Sequence, residues 1–237
     1  MNFIEKIYSI FQIHGSAFLQ ATVTTVELTV VSLLIAVVIG LVFAFFKVSN
    51  LIILQKIADI YIFLIRGTPL IVQIMFLYYG ISTVLVLNSF MAGAVALGIH
   101  SGAYIAEIFR GAIQSIDRGQ MEAARSLGMP YSLSMRRIIL PQAFRRAIPP
   151  LGNQFIIGLK DSSLVAYIAA TELFSQALSV QAENYMPFET YFVVGLYYLV
   201  LVLIFTVIVH KVESRLSGNK VKRRGHVDQS KKLVQNV

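Results

Sequence analysis

Glu122-Ala123-Ala124-Arg125-Ser126-Leu127-Gly128, running on to Ile139-Leu140-Pro141, is the stretch around which this chain is organised. It lies in the most basic internal segment, between two strongly apolar regions. Gly128-Met129-Pro130 predicts a turn between two short helices, the second reaching Leu140, because Gly closes one helix and Pro opens the next. Ala123 and Ala124 are small enough to let a partner approach closely. Glu122 and Arg125, three residues apart, share one helical face. The segment is polar enough to stand in water, yet membrane-spanning candidates bracket it. That combination marks a docking element.

The flanks set the class. Of 237 residues, 57% are hydrophobic and only 14% charged, with a mean hydropathy of +0.72. An integral membrane protein is expected. The absence of cysteine excludes a disulfide, a thiol nucleophile and a thiolate metal site. A net charge of +8 invites a nucleic-acid reading, but the distribution argues against it. Eight basic residues follow His210 and seven lie from Arg110 to Arg146. Both groups flank apolar segments, where Lys and Arg mark the cytoplasmic side, so the expected surroundings are lipid and not nucleic acid. Met1 to Gln20 lacks a basic start followed by a short apolar core and a cleavage site, so no cleaved signal peptide is expected.

Taken in order, residues 1–17 read as an interfacial segment, with Phe3, Ile4, Ile7, Tyr8, Ile10 and Phe11 at helical spacing and Glu5 and Lys6 opposite. The first span is expected from Phe18 to Phe46, the second from Ile57 to Tyr79 and the third from Phe90 to Phe109. Lys47 and Lys56 flank a short inner loop, whereas the link from Gly80 to Ser89 is uncharged and is placed outside. The basic segment, residues 114–147, follows inside as a helix-turn-helix. Pro149-Pro150 are expected to open the fourth span, to Ala170, since Pro suits a first helical turn. The link from Thr171 to Thr190 holds Glu172, Glu183 and Glu189 without Lys or Arg and is placed outside; the fifth span runs from Tyr191 to His210. The expected fold is therefore all-α and membrane-integral. A five-span domain occupies 18–210, a basic cytoplasmic tail 211–237, the N-terminus lies outside and the C-terminus inside. From Ser217 the tail reads as polar and disordered.

Ionisable and polar residues inside spans default to functional hypotheses. Asp59, Arg66 and Gln73 recur every seven residues and share a helix face. Pro69 frees the carbonyl of Ile65, so Gly67, Thr68 and Pro69 should kink the second span; the kink either borders a substrate pathway or belongs to a structural Asp–Arg stripe satisfied within the bundle. Asp59 and Arg66 are expected to pair with each other. On the fourth span Gln154, Gly158 and Asp161 fall on one face, a carboxylate and an amide around a glycine gap, suited to an ammonium group. The competing reading is that Lys160 merely neutralises Asp161, although adjacent residues point about 100° apart. Glu27, deep in the first span, either faces a cavity or bonds to neighbouring threonines. Glu107 and Arg110 are expected to form an ion pair. His14, His100, His210 and His226 share no metal-ligand spacing. Gly152 and Gly158-Leu159-Lys160 do not make a phosphate loop. No catalytic pair, metal site or nucleotide site is found.

Further motifs carry a resemblance. Glu-Ala-Ala, Gly128 four residues after Ala124, and Ile-x-Leu-Pro ending at Pro141 resemble the EAA loop of bacterial ABC importer permeases. Arg66-Gly67-Thr68-Pro69-Leu70, Ser101-Gly102-Ala103-Tyr104-Ile105-Ala106-Glu107 and Lys160-Asp161-Ser162-Ser163-Leu164 are similar to the polar-amino-acid branch of these type I importers, the histidine, glutamine and arginine uptake permeases. The motifs cover the chain from about Thr22 to His210. The resemblance implies a permease subunit in the inner membrane, paired with an identical or closely related permease. It also implies two cytoplasmic ATPases that bind the ATP and Mg, and an extracytoplasmic solute-binding protein. Glu122, Ala123, Ala124, Arg125, Gly128 and Pro141 would couple to the ATPase. Asp161, Gln154, Gly158, Ser162, Thr68, Gln73 and Glu27 would line the substrate pathway. A different small solute on the same architecture, an intramembrane enzyme and a stand-alone secondary carrier are the rival readings. The third is disfavoured by the absence of an internal repeat.

Overall fold

The structure, a computed structural model, describes residues 2–82 and 86–217, and every regular element among them is helical. Helix α1, Phe3–Lys47, is unbroken over 45 residues. Asn2 accepts the Glu5 N–H at 2.9 Å while the Glu5 carboxylate accepts the Asn2 N–H at 3.0 Å, satisfying two orphan donors at once. The expected interfacial segment and first span are thus one helix. Only Gly15 lies near their boundary, and a lone Gly weakens a helix without ending it. A short turn leads into α2, Ile52–Arg66. The inner loop expected between Lys47 and Lys56 is therefore shorter, and Lys56 lies inside α2.

The chain breaks at Gly67-Thr68-Pro69 and resumes as α3, Leu70–Met75, continued by a π-helical turn over Phe76–Gly80. The two pieces are bent by 103°. The expected kink is a sharp corner, and the second span is two helical pieces. Helix α4, Ser89–Gln114, carries the third span beyond Phe109 and is capped by Asn88.

Helices α1 and α4 form the spine of the molecule. Ala36, Gly40 and Ala44 on α1 meet Gly98, Gly102 and Ala106 on α4, each set at four-residue spacing. A β-carbon built on Gly98 would lie 2.6 Å from Ile35 Cγ2, and one on Gly40 would lie 2.4 Å from Ile105 Cγ2. The backbones therefore touch, and close packing replaces the hydrophobic drive that lipid cannot supply between helices. Tyr61 fastens α2 to this spine by donating its hydroxyl to the Ile99 carbonyl at 2.6 Å.

Beyond α4 come α5, Arg118–Ser126, and α6, Tyr131–Ser134. A π-helical turn over Met135–Ile139 then runs directly into α7, Leu140–Asp161. Pro141 occupies the first turn of α7, and Pro149 and Pro150 lie inside it. This corrects the expected start of the fourth span. The carbonyls freed by an interior proline belong to the residues four earlier. Here those are Arg145 and Arg146, which are exposed at the basic end of α7, where water can take up what the helix gives away.

A 3₁₀ run, Ser162–Ile168, follows α7 and ends at Ala169 with φ 56°. The link expected over Thr171–Thr190 contains a further helix, α8, Leu173–Asn184, bent 51° from the preceding stretch. It buries Leu173, Ala177 and Val180, one stripe at helical spacing. Helix α9, Pro187–Ser217, is the fifth span and takes in the start of the expected basic tail. Residues 218–237, including His226, lie outside the described residues.

Among the described residues three helices are long and apolar enough to cross a membrane, and the count reaches five when each of the two bent pairs is taken as one span. Large apolar side chains point outward on these elements: Leu34 is 64% exposed, Phe63 76% and Leu203 62%. Surfaces of this kind face lipid.

Candidate coupling surface and intramembrane polar sites

Helix α5 starts at Asp117, whose carboxylate accepts the Gly119 N–H at 2.7 Å. It ends in a Schellman turn: Gly128 N–H donates to the Arg125 carbonyl at 3.0 Å and Met129 N–H to the Ala124 carbonyl at 3.1 Å. Gly128 has φ 78°, the left-handed conformation that a side chain makes costly. Pro130 then caps α6. The expected helix-turn-helix is present in shape, although its second arm is continuous with α7. Glu122, Ala123, Arg125 and Gly128 are exposed, with no ion pair between Glu122 and Arg125 among the described residues. Ala124 is buried against its own chain, so the expected two-alanine approach face is reduced to Ala123. Leu127 is 83% exposed on the same turn. Sequence reading passed over it, although an apolar residue just before a helix-ending Gly is a visible signal. Beside the turn, Ile113, Arg118, Met121, Tyr131 and Met135 line a cleft of about 480 Å³.

The corner between α2 and α3 is held by one side chain. The Gln73 amide donates to the Ile65 carbonyl at 2.8 Å, the Thr68 carbonyl at 3.1 Å and Thr68 Oγ1 at 2.8 Å. Thr68 Oγ1 donates to the Leu64 carbonyl at 2.9 Å. Gln73 therefore patches the carbonyl that Pro69 frees. Its Oε1 lies 3.1 Å from His100 Nδ1. An amide oxygen only accepts, so that imidazole nitrogen carries the proton. Thr68 and Gln73 meet, and their polar atoms are engaged in holding the corner.

Asp59 and Arg66 do not pair. Two helical turns separate them by about 10 Å, too far for a carboxylate on one methylene. Asp59 instead pairs with Lys47, which the turn after α1 brings alongside. Arg66 lies 5.0 Å over the Tyr104 ring, a cation–π contact. Glu107 and Arg110 form the expected pair, at 2.6 Å.

On α7, Gln154 and Gly158 are buried and Asp161 is half-buried, with no ion pair to the exposed Lys160. A β-carbon on Gly158 would meet nothing within 4 Å, so open space lies beside it. Ser162 is buried and donates its hydroxyl to the Leu159 carbonyl at 2.7 Å. The segment after Asp161 packs on α3 through Val165, Ile168 and Ile74. Glu27 is exposed on an apolar face with Val23, Val30 and Leu34. The nearby Thr22, Thr25 and Thr29 hydroxyls each donate to the carbonyl four residues earlier, so they do not serve Glu27.

One buried carboxylate escaped sequence reading. Glu172 caps α8 by accepting the Phe174 and Ser175 N–H groups at 2.9 and 2.6 Å, and accepts the Tyr198 hydroxyl at 3.0 Å. Thr25 Oγ1 accepts the Leu173 N–H at 3.0 Å. The start of α8 is thus tied to both α1 and α9.

An all-helical, multi-span body with a polar helix-turn-helix excursion is the architecture of a membrane transport subunit. The model of binding-protein-dependent transport system inner membrane components matches residues 36–218, and the chain belongs to that family. The arginine transport system permease protein ArtQ of Bacillus subtilis is 38% identical over 203 residues, 85% of this chain and 93% of that protein. The glutamine transport system permease protein GlnP of Escherichia coli K12 is 40% identical over 195 residues, 81% and 89% of the two chains. A crystal structure of an amino acid ABC transporter with histidines is 38% identical, with a TM-score of 0.82 over 91% of this chain and 99% of that one. These relatives are transporter components and not enzymes, and this chain is a multi-pass inner-membrane permease subunit like them.

Proposed function

We propose that this chain is the permease of an ATP-driven importer for polar amino acids, with its N-terminus outside and its C-terminus in the cytoplasm. It works beside a second permease, receives substrate from a solute-binding protein and is driven by two cytoplasmic ATPase subunits that hold the ATP and Mg. The observation that carries this reading is the turn closing α5. Glu122, Ala123 and Leu127 project from a rigid, Gly128-closed element and are exposed, a carboxylate beside an apolar anchor ready for a cleft on another subunit. The similarity to arginine and glutamine permeases supports the substrate class. Arg125 and Pro141 flank the contact, and Ala124 supports it from beneath. ATP binding draws the two ATPases together, the docking elements follow, and the spans alternate their access.

The test is the ATPase rate in proteoliposomes with and without loaded binding protein. In this reading Glu122 offers its carboxylate to a basic residue of the ATPase cleft, so Glu122→Ala removes one partner of a partly shielded ion pair, at a cost of several kcal/mol; Gly128→Val strains the turn. Both variants are expected to insert and to dock the binding protein, while hydrolysis no longer responds to it. Normal stimulation in both would place the coupling element elsewhere.

Asp161, with open space at Gly158 beside it, is the proposed seat for a positive group of the substrate, and Gln154 shares its helix. Thr68 and Gln73 shape the pathway by holding the corner, Ser162 holds the end of α7, and Glu27 faces the partner permease or the pathway. Asp161→Asn should lower the apparent affinity of uptake about ten-fold or more, the worth of one charge-assisted hydrogen bond. An unchanged concentration dependence would remove Asp161 from the pathway.

A further inference from the structure

One cavity belongs to none of these surfaces. It measures about 380 Å³, and its wall includes Leu33 and Val37 of α1, Ile148 and Gly152 of α7, and Val209 and Val212 of α9. Not one polar side chain lines it. It lies on the far side of α7 from Asp161: at about 100° per residue, Gly152 and Asp161 are half a turn apart. A pathway for polar amino acids does not use such a wall.

The register of α7 against α9 shows what stands at its end. The Phe155 and Phe205 rings are 4.7 Å apart between centroids, and a β-carbon on Gly152 would lie 2.3 Å from Val209 Cγ1. The helices therefore run antiparallel, and the same faces continue to Ile148 and Val212. One turn further, Arg145 extends the α7 face and Arg215 the α9 face. Both are exposed, and neither is ion-paired among the described residues. Arg146 is committed elsewhere, to the Ser115 carbonyl and hydroxyl. By this register the two arginines lie at the same end of an apolar groove.

We propose that this groove seats an anionic phospholipid, with one acyl chain in the cavity and the phosphate held by Arg145 and Arg215. The guanidinium fork matches phosphate oxygens. Basic residues at a helix end draw anionic lipid to the membrane surface. A second copy of the chain suits the groove poorly, because a two-fold contact centred there would bring the same cations together.

Native mass spectrometry of the purified complex tests this, after equilibration with equal amounts of phosphatidylglycerol and phosphatidylcholine. Both lipids carry a phosphate, but only phosphatidylcholine brings a cation beside the two guanidiniums, so wild type is expected to retain phosphatidylglycerol over phosphatidylcholine by several-fold, about 1 kcal/mol for a like-charge contact near water. Arg145→Gln with Arg215→Gln should bring the two lipids to parity. Val37→Phe, which fills the cavity, should lose both. Equal retention by wild type, an undiminished preference in the double variant, or full lipid retention by Val37→Phe would each overturn the proposal. The chain has no cysteine, so Val212→Cys adds a decisive arm. Cross-linking between two permeases through it would put a second copy in the groove; its absence is the expected result. If the double variant fails to assemble, Val37→Phe and Val212→Cys still decide.

Discussion

At Gly67-Thr68-Pro69 the chain turns through 103°, while at Pro149-Pro150 a helix carries on through two prolines in succession. By proline content alone the second site should be the weaker. The difference lies in what surrounds the lost hydrogen bonds. At the corner, Thr68 precedes Pro69, which pushes it out of the helical region. Gly67 permits the approach: a β-carbon there would lie 2.7 Å from the Phe63 carbonyl. The freed carbonyls are then gathered by the Gln73 amide. In α7 the freed carbonyls belong to exposed residues at a basic end. No side chain has to collect them and the helix need not open. The donors within reach of the freed carbonyls, not the proline itself, decide whether a membrane helix breaks.

Four substitutions break or sharpen this contrast. The largest effect is expected at Gln73→Leu. It leaves the half-buried Ile65 carbonyl without its donor, while the exposed Thr68 carbonyl and hydroxyl keep access to solvent, so the loss should be about 2–3 kcal/mol, the upper part of the range for one unsatisfied buried group. The thermal midpoint of the purified complex measures it; a wild-type midpoint would mean that the corner holds without the amide. Next is Pro149→Ala, which restores a donor inside α7 and should stabilise by about 1–3 kcal/mol. Pro69→Ala should instead cost about 0.5–1 kcal/mol, because Pro69 caps α3 in a conformation proline already favours. Shifts of the same sign at both prolines would abolish the contrast. The smallest effect is Asp59→Asn. Its pair with Lys47 is partly exposed, and such pairs contribute little. The midpoint should move by no more than the scatter between preparations, and a large drop would show that the pair anchors α2 before the corner.

Much of this was readable in the residues. Gly128-Met129-Pro130 announced its turn, since only a few residues tolerate a left-handed closure. The Pro69 corner followed from the lost donor at a known position. The five apolar stretches followed from lipid as solvent. The turn was visible, yet which alanine faces out was not, because Ala123 and Ala124 are chemically the same and only packing separates them. Asp59 was paired with Arg66 along one helix, when the reach of Lys47 across a turn decides the matter. Helix α8 went unread because the residues of the link expected over Thr171–Thr190 were judged by charge and not by the Leu173, Ala177, Val180 stripe. Pro149-Pro150 misled for the reason given above: the tolerance of a helix for proline depends on its surroundings.

The length of α1 has a consequence for assembly. At 1.5 Å per residue the helix is about 67 Å long, against an apolar membrane thickness of about 30 Å. Its first turns cannot all be stabilised by lipid. Phe3 packs on Phe188 and Phe192, and Lys6 reaches Glu189 at 2.8 Å, 183 residues later in the chain. During synthesis the beginning of α1 must wait, uncovered, until the start of α9 has been made. Helix α1 is therefore made long before it is completed, and a ribosome stalled before Pro187 leaves a nascent chain in which the opening turns of α1 are exposed to whatever surveys unfinished membrane proteins.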